Sequence, residues 1–193
     1  MNILLPGDFL FFLPETAWER YICRYAGMYS HCGLYIDDYM FISARPYRGI
    51  DFDMIDEYNH FFDIYRIKDI TKKERIELIK VAIGYRGKKY DLKQAIALPF
   101  KYILPFRSAN YFCSEFLSVL SIYLGRITSK VPELMSPTDL SNEPFLDLRK
   151  ECFLKRLNLH CFDFSHTIGL NMFSVVNRNK EKKRKIVFRY SGI

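Results

Sequence analysis

Residues 30–37 read SHCGLYID, and residues 41–44 read FISA. Successive side chains of an extended chain point to opposite faces. Over 31–36, Cys32, Leu34 and Ile36 therefore share one face, and His31, Gly33 and Tyr35 share the other. The apolar face is suited to a core, with the histidine looking the opposite way. Asp37-Asp38 carries turn chemistry, and Tyr39 to Ala44 reads as the return strand of a hairpin. A three-residue loop at 37–39 sets Ile36 opposite Met40 and Ser43 opposite Gly33, diagonal to His31 on the same face. A two-residue loop reverses the parity and turns Ser43 away. The first register is preferred because it gathers Ile42 and Ala44 with Cys32, Leu34 and Ile36.

Outward from this hairpin, residues 8–13 and 61–67 read as further strands. Residues 16–25 fit a short helix or a loop. Residues 71–85 are the clearest helix, with Thr71 and Glu74 in capping-box spacing and Ile76, Ile79, Val81 and Ile83 as apolar positions. Residues 112–124 form a second helix, capped by Asn110 or Ser108 and stopped at Gly125. Its stripe is Phe116, Leu117, Leu120 and Leu124. Cys113 lies one turn before Phe116 and Leu117, on the inward face. Residues 132–144 are loop-like.

The chain has 193 residues, 49% of them hydrophobic and 17% aromatic. That supports a real core and excludes a disordered or low-complexity chain. A net charge of +7 favours anionic surroundings, a membrane or cell-wall surface among them. Five cysteines, irregularly spaced, do not resemble a disulfide framework. The apolar start lacks a cationic segment and is interrupted by Pro6, Gly7 and Asp8, so it is a poor signal peptide. The expectation is a cytoplasmic protein with free thiols.

A free thiol has a pKa near 8.5, so only about 3% is thiolate at neutral pH. Unpaired N–H groups at a helix start and a nearby imidazolium favour the anion. Cys113 occupies such a place, although cysteine is also an ordinary small core residue. His31 is the histidine set in a clean strand pattern next to a glycine, and a purely structural role fits it equally well at this point.

Further landmarks follow in order: GDFLFF at 7–12, RGID at 48–51, DIYRIK at 63–68, GYRGKKYD at 84–91, YFCSEFLSVLSIYLG at 111–125 and SPTDL at 136–140. With the hairpin, they resemble the NlpC-type papain-like hydrolases. The cysteine-bearing helix follows the hairpin rather than preceding it. That order is similar to the circularly permuted branch, the YiiX/YebB-like group, which is related in layout to a poxvirus protein and to lecithin retinol acyltransferase. The resemblance covers about residues 5–140. It implies an α+β, circularly permuted papain-like fold: a small antiparallel sheet packed against the nucleophile helix, spanning 1–145, with an extension at 146–193. It further implies that Cys113 is the nucleophile and His31 the general base. Ser43 stands where the family usually has glutamate to orient the imidazole. The Cys113 N–H would belong to the oxyanion hole, with Tyr90 and Tyr111 as side-chain candidates.

The implied activity is that of a cysteine hydrolase or acyltransferase cleaving an amide or ester, a peptidoglycan-type peptide or a lipid acyl group, through a thioester, with no cofactor. The alternative is an inactive papain-like fold serving as a binding module. Cys152, His160, Cys161 and His166 match no standard zinc spacing. Cys32 is sent to the core face by alternation. Residues 92–106 are apolar and basic, and read as an insertion over the core or a surface that touches membrane. The run RNKEKKRK at 178–185 reads as a solvated hairpin loop, in preference to a nucleic-acid patch.

Overall fold

The run Phe9–Phe12 is apolar at every position, a pattern that suits a strand covered on both faces. In the computed structural model it is β1, and all four side chains are fully buried. The structure describes residues 4–56, 61–97 and 109–153, all within a first unit, Met1–Asn158; the remainder, Leu159–Ile193, is a second unit. His160, Cys161, His166, most of the 92–106 stretch and the run 178–185 lie outside the described residues.

The other strands are β2 (His31–Asp37), β3 (Met40–Arg45), β4 (Gly49–Met54), β5 (Phe62–Ile67) and β6 (Leu146–Phe153). They make one six-stranded sheet in the order β4-β3-β2-β1-β5-β6, antiparallel at each pairing. The helices are α1 (Ala17–Ala26), α2 (Lys72–Gly84), α3 (Leu92–Ala97), α4 (Cys113–Tyr123) and α5 (Pro137–Ser141). The architecture is thus α+β, as the sequence suggests. The stretch read as an extension from residue 146, packed on or following the same domain, opens as a strand of the sheet: Leu146–Phe153 pairs with β5.

The hairpin closes by a route the loop-length reasoning did not consider. Asp38 and Tyr39 both have positive φ, 46° and 62°, the signature of a two-residue turn. Asp37 then opposes Met40, but the register shifts between Tyr35 and Asp37, so that Tyr35 faces Phe41 and Leu34 faces Ile42. A bulge adds one residue and restores the parity that the short turn reverses. Ser43 therefore stays in phase with His31. Gly33 is required here, because a Cβ would lie 2.5 Å from Cδ2 of the buried Phe41. Phe41 packs on Phe12, whose ring also lies against the His31 imidazole.

Asp8, fully buried, fixes the entry to β1. Its carboxylate accepts from Leu5 N at 2.8 Å, from Arg66 Nε and Nη2 at 2.7 Å each, and from Arg75 Nη1 at 3.3 Å. Arg75 belongs to α2, whose capping box joins Thr71 and Glu74 as expected. The buried stripe of α2 is Arg75, Leu78, Ile79 and Ala82; of the set read from the sequence, Ile79 belongs to it. This spacing of i, i+3, i+4, i+7 keeps Arg75 in line with Asp8 and leaves Ile76, Val81 and Ile83 partly exposed.

Candidate active site

Helix α4 lies against β2 and β3, with α2 and α5 beside it. Its apolar residues Phe116, Leu117 and Leu120 are fully buried. The helix starts at Cys113, behind an extended Phe112 that supplies no side-chain cap. Glu115 fills that role instead, its Oε2 accepting from Phe112 N at 3.3 Å. The expected caps, Asn110 and Ser108, lie farther out in the sequence; Ser108 is outside the described residues. Cys113 is the first helical residue, so its N–H belongs to the turn that has no intrahelical acceptors.

A short segment holds this helix against the start of β2. Ser114 Oγ donates to Met135 O at 2.6 Å, and Thr138 Oγ1 accepts from Tyr29 N at 3.0 Å. Between them Ser136 and Asp139 form the capping box of α5. Residues 135–138 thereby grip α4 at the residue after Cys113 and the chain two residues before His31.

Helix α4 packs on β2, and the groups that act on the Cys113 thiol are the Cys32 side chain, the His31 imidazole and the Cys32 backbone N–H, all from the start of that strand. Cys113 is 5% exposed, His31 7% and Cys32 0%. These partners hold the Cys113 thiol well below its ordinary pKa: the Cys32 side chain contributes most, then the charge and hydrogen bond of His31 and the Cys32 N–H, against the opposing effect of burial. Cys32 moves the other way, pushed well above the ordinary range by burial and by Cys113. The two thiols are thus pushed in opposite directions, Cys113 toward the anion and Cys32 toward the neutral form.

Cys32 is fully buried, as alternation places it, and still acts on the Cys113 thiol. β2 pairs with β3 only from Leu34 onward, so its first residues extend past the hairpin ladder. A sulfur approaching such a free margin reaches side chains from both faces as well as a backbone N–H. Alternation separates the two faces but does not keep a neighbour at the margin from touching both.

Ser43 is fully buried, and its hydroxyl donates to Asp53 Oδ2 at 3.1 Å. Asp53 Oδ1 in turn accepts from Arg45 Nη1 at 2.7 Å and Arg48 Nη1 at 2.8 Å. The Ser43 hydroxyl proton is thus given to a carboxylate on β4, while its oxygen keeps the acceptor capacity that the expected bond from the imidazole would use. Tyr90 and Tyr111 are joined through an isolated backbone bridge. The Tyr111 ring packs edge-on against Tyr85, and burial with the neighbouring Tyr85 pushes its hydroxyl pKa up. These contacts tie Tyr111 to packing beside α4, through Tyr85, which also packs on Phe116. Glu115 is pushed up to about 8, chiefly by burial, with Glu133 and Asp91 adding to the rise and the Phe112 N–H opposing it.

No family model matches the chain, and no curated protein matches it. A solved structure with a similar fold is that of YiiX from Escherichia coli O157:H7, described as a metalloprotein and as DUF1105. The TM-score is 0.57 and the identity 16%, over 76% of this chain and 96% of that one. Likeness at this identity speaks to fold alone. Among the described residues of the present chain, no group of three or more His, Cys, Asp or Glu side chains could hold a metal ion. No helix among them is long and apolar enough to cross a membrane.

Proposed function

We propose that the chain is a cysteine hydrolase or acyltransferase of permuted papain-like, NlpC-type layout, acting on an amide or ester carbonyl. The single observation that carries this reading is the packing of α4, which opens at Cys113, against β2, which opens at His31, with His31 acting to lower the Cys113 pKa. A thiolate–imidazolium pair at a helix N-terminus is the arrangement that makes a cysteine nucleophilic at neutral pH.

In the proposed reaction His31 accepts the Cys113 proton, and the sulfur attacks the carbonyl carbon. A C–S bond forms while the carbonyl π electrons move to oxygen. The Cys113 N–H, free of helical partners, faces that developing charge. His31 then protonates the leaving amine or alcohol as its bond to carbon breaks, which leaves a thioester. Water or another acceptor, deprotonated by His31, attacks the thioester and returns the thiolate. Cys32 supports the resting anion with two donors, its S–H and its N–H. With the Ser43 hydroxyl committed to Asp53, catalysis rests on a dyad, which suffices for a nucleophile that starts as an anion.

The test is an activated acyl ester, such as a p-nitrophenyl ester. The expected result is an early burst, with the acyl group found by mass spectrometry on the peptide containing Cys113. Substitution of Cys113→Ala or His31→Ala should each lower turnover by about a thousandfold or more. Acylation elsewhere, or turnover unaffected by these changes in folded protein, would favour the binding-module reading.

A further inference from the structure

One end of the sheet is closed by backbone bonds that run toward Cys113. The pairing of β1 with β2 places Phe12 beside His31, and that of β3 with β4 places Arg45 beside Gly49. β2 and β3 are antiparallel, so His31 and Arg45 lie at the same end. Residues 87–91 cover it. Gly87 N donates to Ile50 O at 2.9 Å, and Ile50 N donates to Lys88 O at 2.8 Å. Tyr111 N donates to Lys89 O at 3.1 Å, and Asp91 N donates to Tyr111 O at 3.1 Å. Cys113 stands two residues beyond Tyr111, and α3 begins directly after Asp91.

The exposed side chains of this end are cationic, with apolar groups among them. Arg48, Arg86, Lys88, Lys89 and Lys93 are exposed. Asp51 is shared by Arg48 and Arg86, and Asp53 by Arg45 and Arg48, so neither carboxylate has charge to spare. Asp91 is buried and accepts from Gln94 N at 2.9 Å. Among the described residues no carboxylate pairs with Lys88, Lys89 or Lys93, and the surplus is positive. Tyr47, in the turn between β3 and β4, is 99% exposed. Leu92 and Ile96, four residues apart on α3 and so on one face of it, are 44% and 55% exposed, while Gln94 is buried.

We propose that the β3–β4 turn, Lys88, Lys89 and the outer face of α3 form a docking surface for an anionic lipid bilayer. Aliphatic and aromatic side chains held in water among unbalanced cations complement a surface with an anionic skin and an apolar interior. A single-stranded nucleic acid would meet the same charge, but its bases stack on aromatic rings and give Leu92 and Ile96 nothing to bury against. Tyr47 suits the headgroup level, where an apolar ring and a hydroxyl are both accommodated. Docking in this way turns the His31 end of the sheet, with the start of α4, toward the lipid. The surface is independent of the hydrolase reading, because it requires no reaction at Cys113.

The test is cosedimentation of the full chain with vesicles, an equal mixture of phosphatidylcholine and phosphatidylserine against phosphatidylcholine alone. The expected result is binding to the mixture, weakened by salt, and little binding to phosphatidylcholine. Lys88→Glu with Lys89→Glu should lower the partition coefficient by about tenfold or more. Both lysines bond through backbone carbonyls, which these changes keep. Lys72→Glu with Lys73→Glu makes the same change of charge at the start of α2, beyond the other end of β5, and should retain most of the binding. Leu92→Ser with Ile96→Ser should reduce the part that persists in high salt. Failure of the unchanged protein to bind the mixture, or equal losses in the two charge-reversed proteins, would overturn the proposal. So would full binding by the Lys88 and Lys89 variant, or preference of the unchanged protein for a single-stranded oligonucleotide over the vesicles.

Discussion

The Ser43 hydroxyl donates to Asp53 Oδ2 at 3.1 Å, and Asp53 is clamped on its other oxygen by Arg45 and Arg48. Ser43 is therefore joined to a β3–β4 ion network through the proton it donates, and we predict that this bond serves the sheet rather than the imidazole. Ser43→Ala should cost about 1 kcal/mol of stability, the worth of one buried hydrogen bond. It should leave the alkylation rate of Cys113 close to that of the unchanged protein. Denaturant titration and peptide-resolved labelling check the two parts. A fall in labelling as large as that caused by His31→Ala would return Ser43 to the triad.

Glu115 gives the stability a definite pH slope. Its folded pKa, about 8, lies above the carboxylate value of the unfolded chain. The folded state binds the extra proton, so this stabilisation is complete below about pH 4.5 and is lost as pH rises through about 8. Glu115→Gln keeps an acceptor for Phe112 N but cannot ionise. It should flatten the slope and raise stability at about pH 8.5 by on the order of 1–3 kcal/mol, with little effect at about pH 4.5. Denaturation midpoints at the two pH values test this; equal slopes for the two proteins would show that Glu115 ionises freely in the folded state.

Asp8 holds the half-buried Arg66 and the buried Arg75 at the entrance to β1, and its neutralisation takes the carboxylate charge from both. Asp8→Asn should destabilise the fold by about 3–5 kcal/mol, because a buried charge left unpaired costs far more than an intact pair contributes. Thermal or denaturant unfolding measures it. A loss below about 1 kcal/mol would place Asp8 among ordinary surface pairs.

Much of this architecture is legible in local pattern. The hairpin strands, the α2 capping box and the buried stripe of α4 all follow from spacing. Two further caps use the same grammar, Thr16 with Glu19 and Ser136 with Asp139, and they mark α1 and α5 where the sequence reading leaves a loop or an open choice. β4 shows period-two alternation, Ile50, Phe52 and Met54 against Asp51 and Asp53, yet it was read only as a motif landmark. β6 is harder to see because Asp147, Arg149 and Lys150 interrupt its apolar positions, as suits the edge of a sheet. The partnership of Cys32 with Cys113 was not legible at all. It depends on α4 packing against β2, a tertiary fact that no periodicity encodes.

The most direct test of the central claim is the pH profile of Cys113 alkylation by iodoacetamide, resolved by peptide, in the unchanged protein and in His31→Ala. The account predicts that Cys113 labels rapidly at about pH 6, where an ordinary thiol is protonated and slow. Cys23 should label only in alkali, and His31→Ala should slow Cys113 at about pH 6 by roughly tenfold or more, the effect of a one-unit rise in pKa. A Cys113 profile that rises only with that of Cys23 and does not move in the folded His31→Ala protein would contradict it.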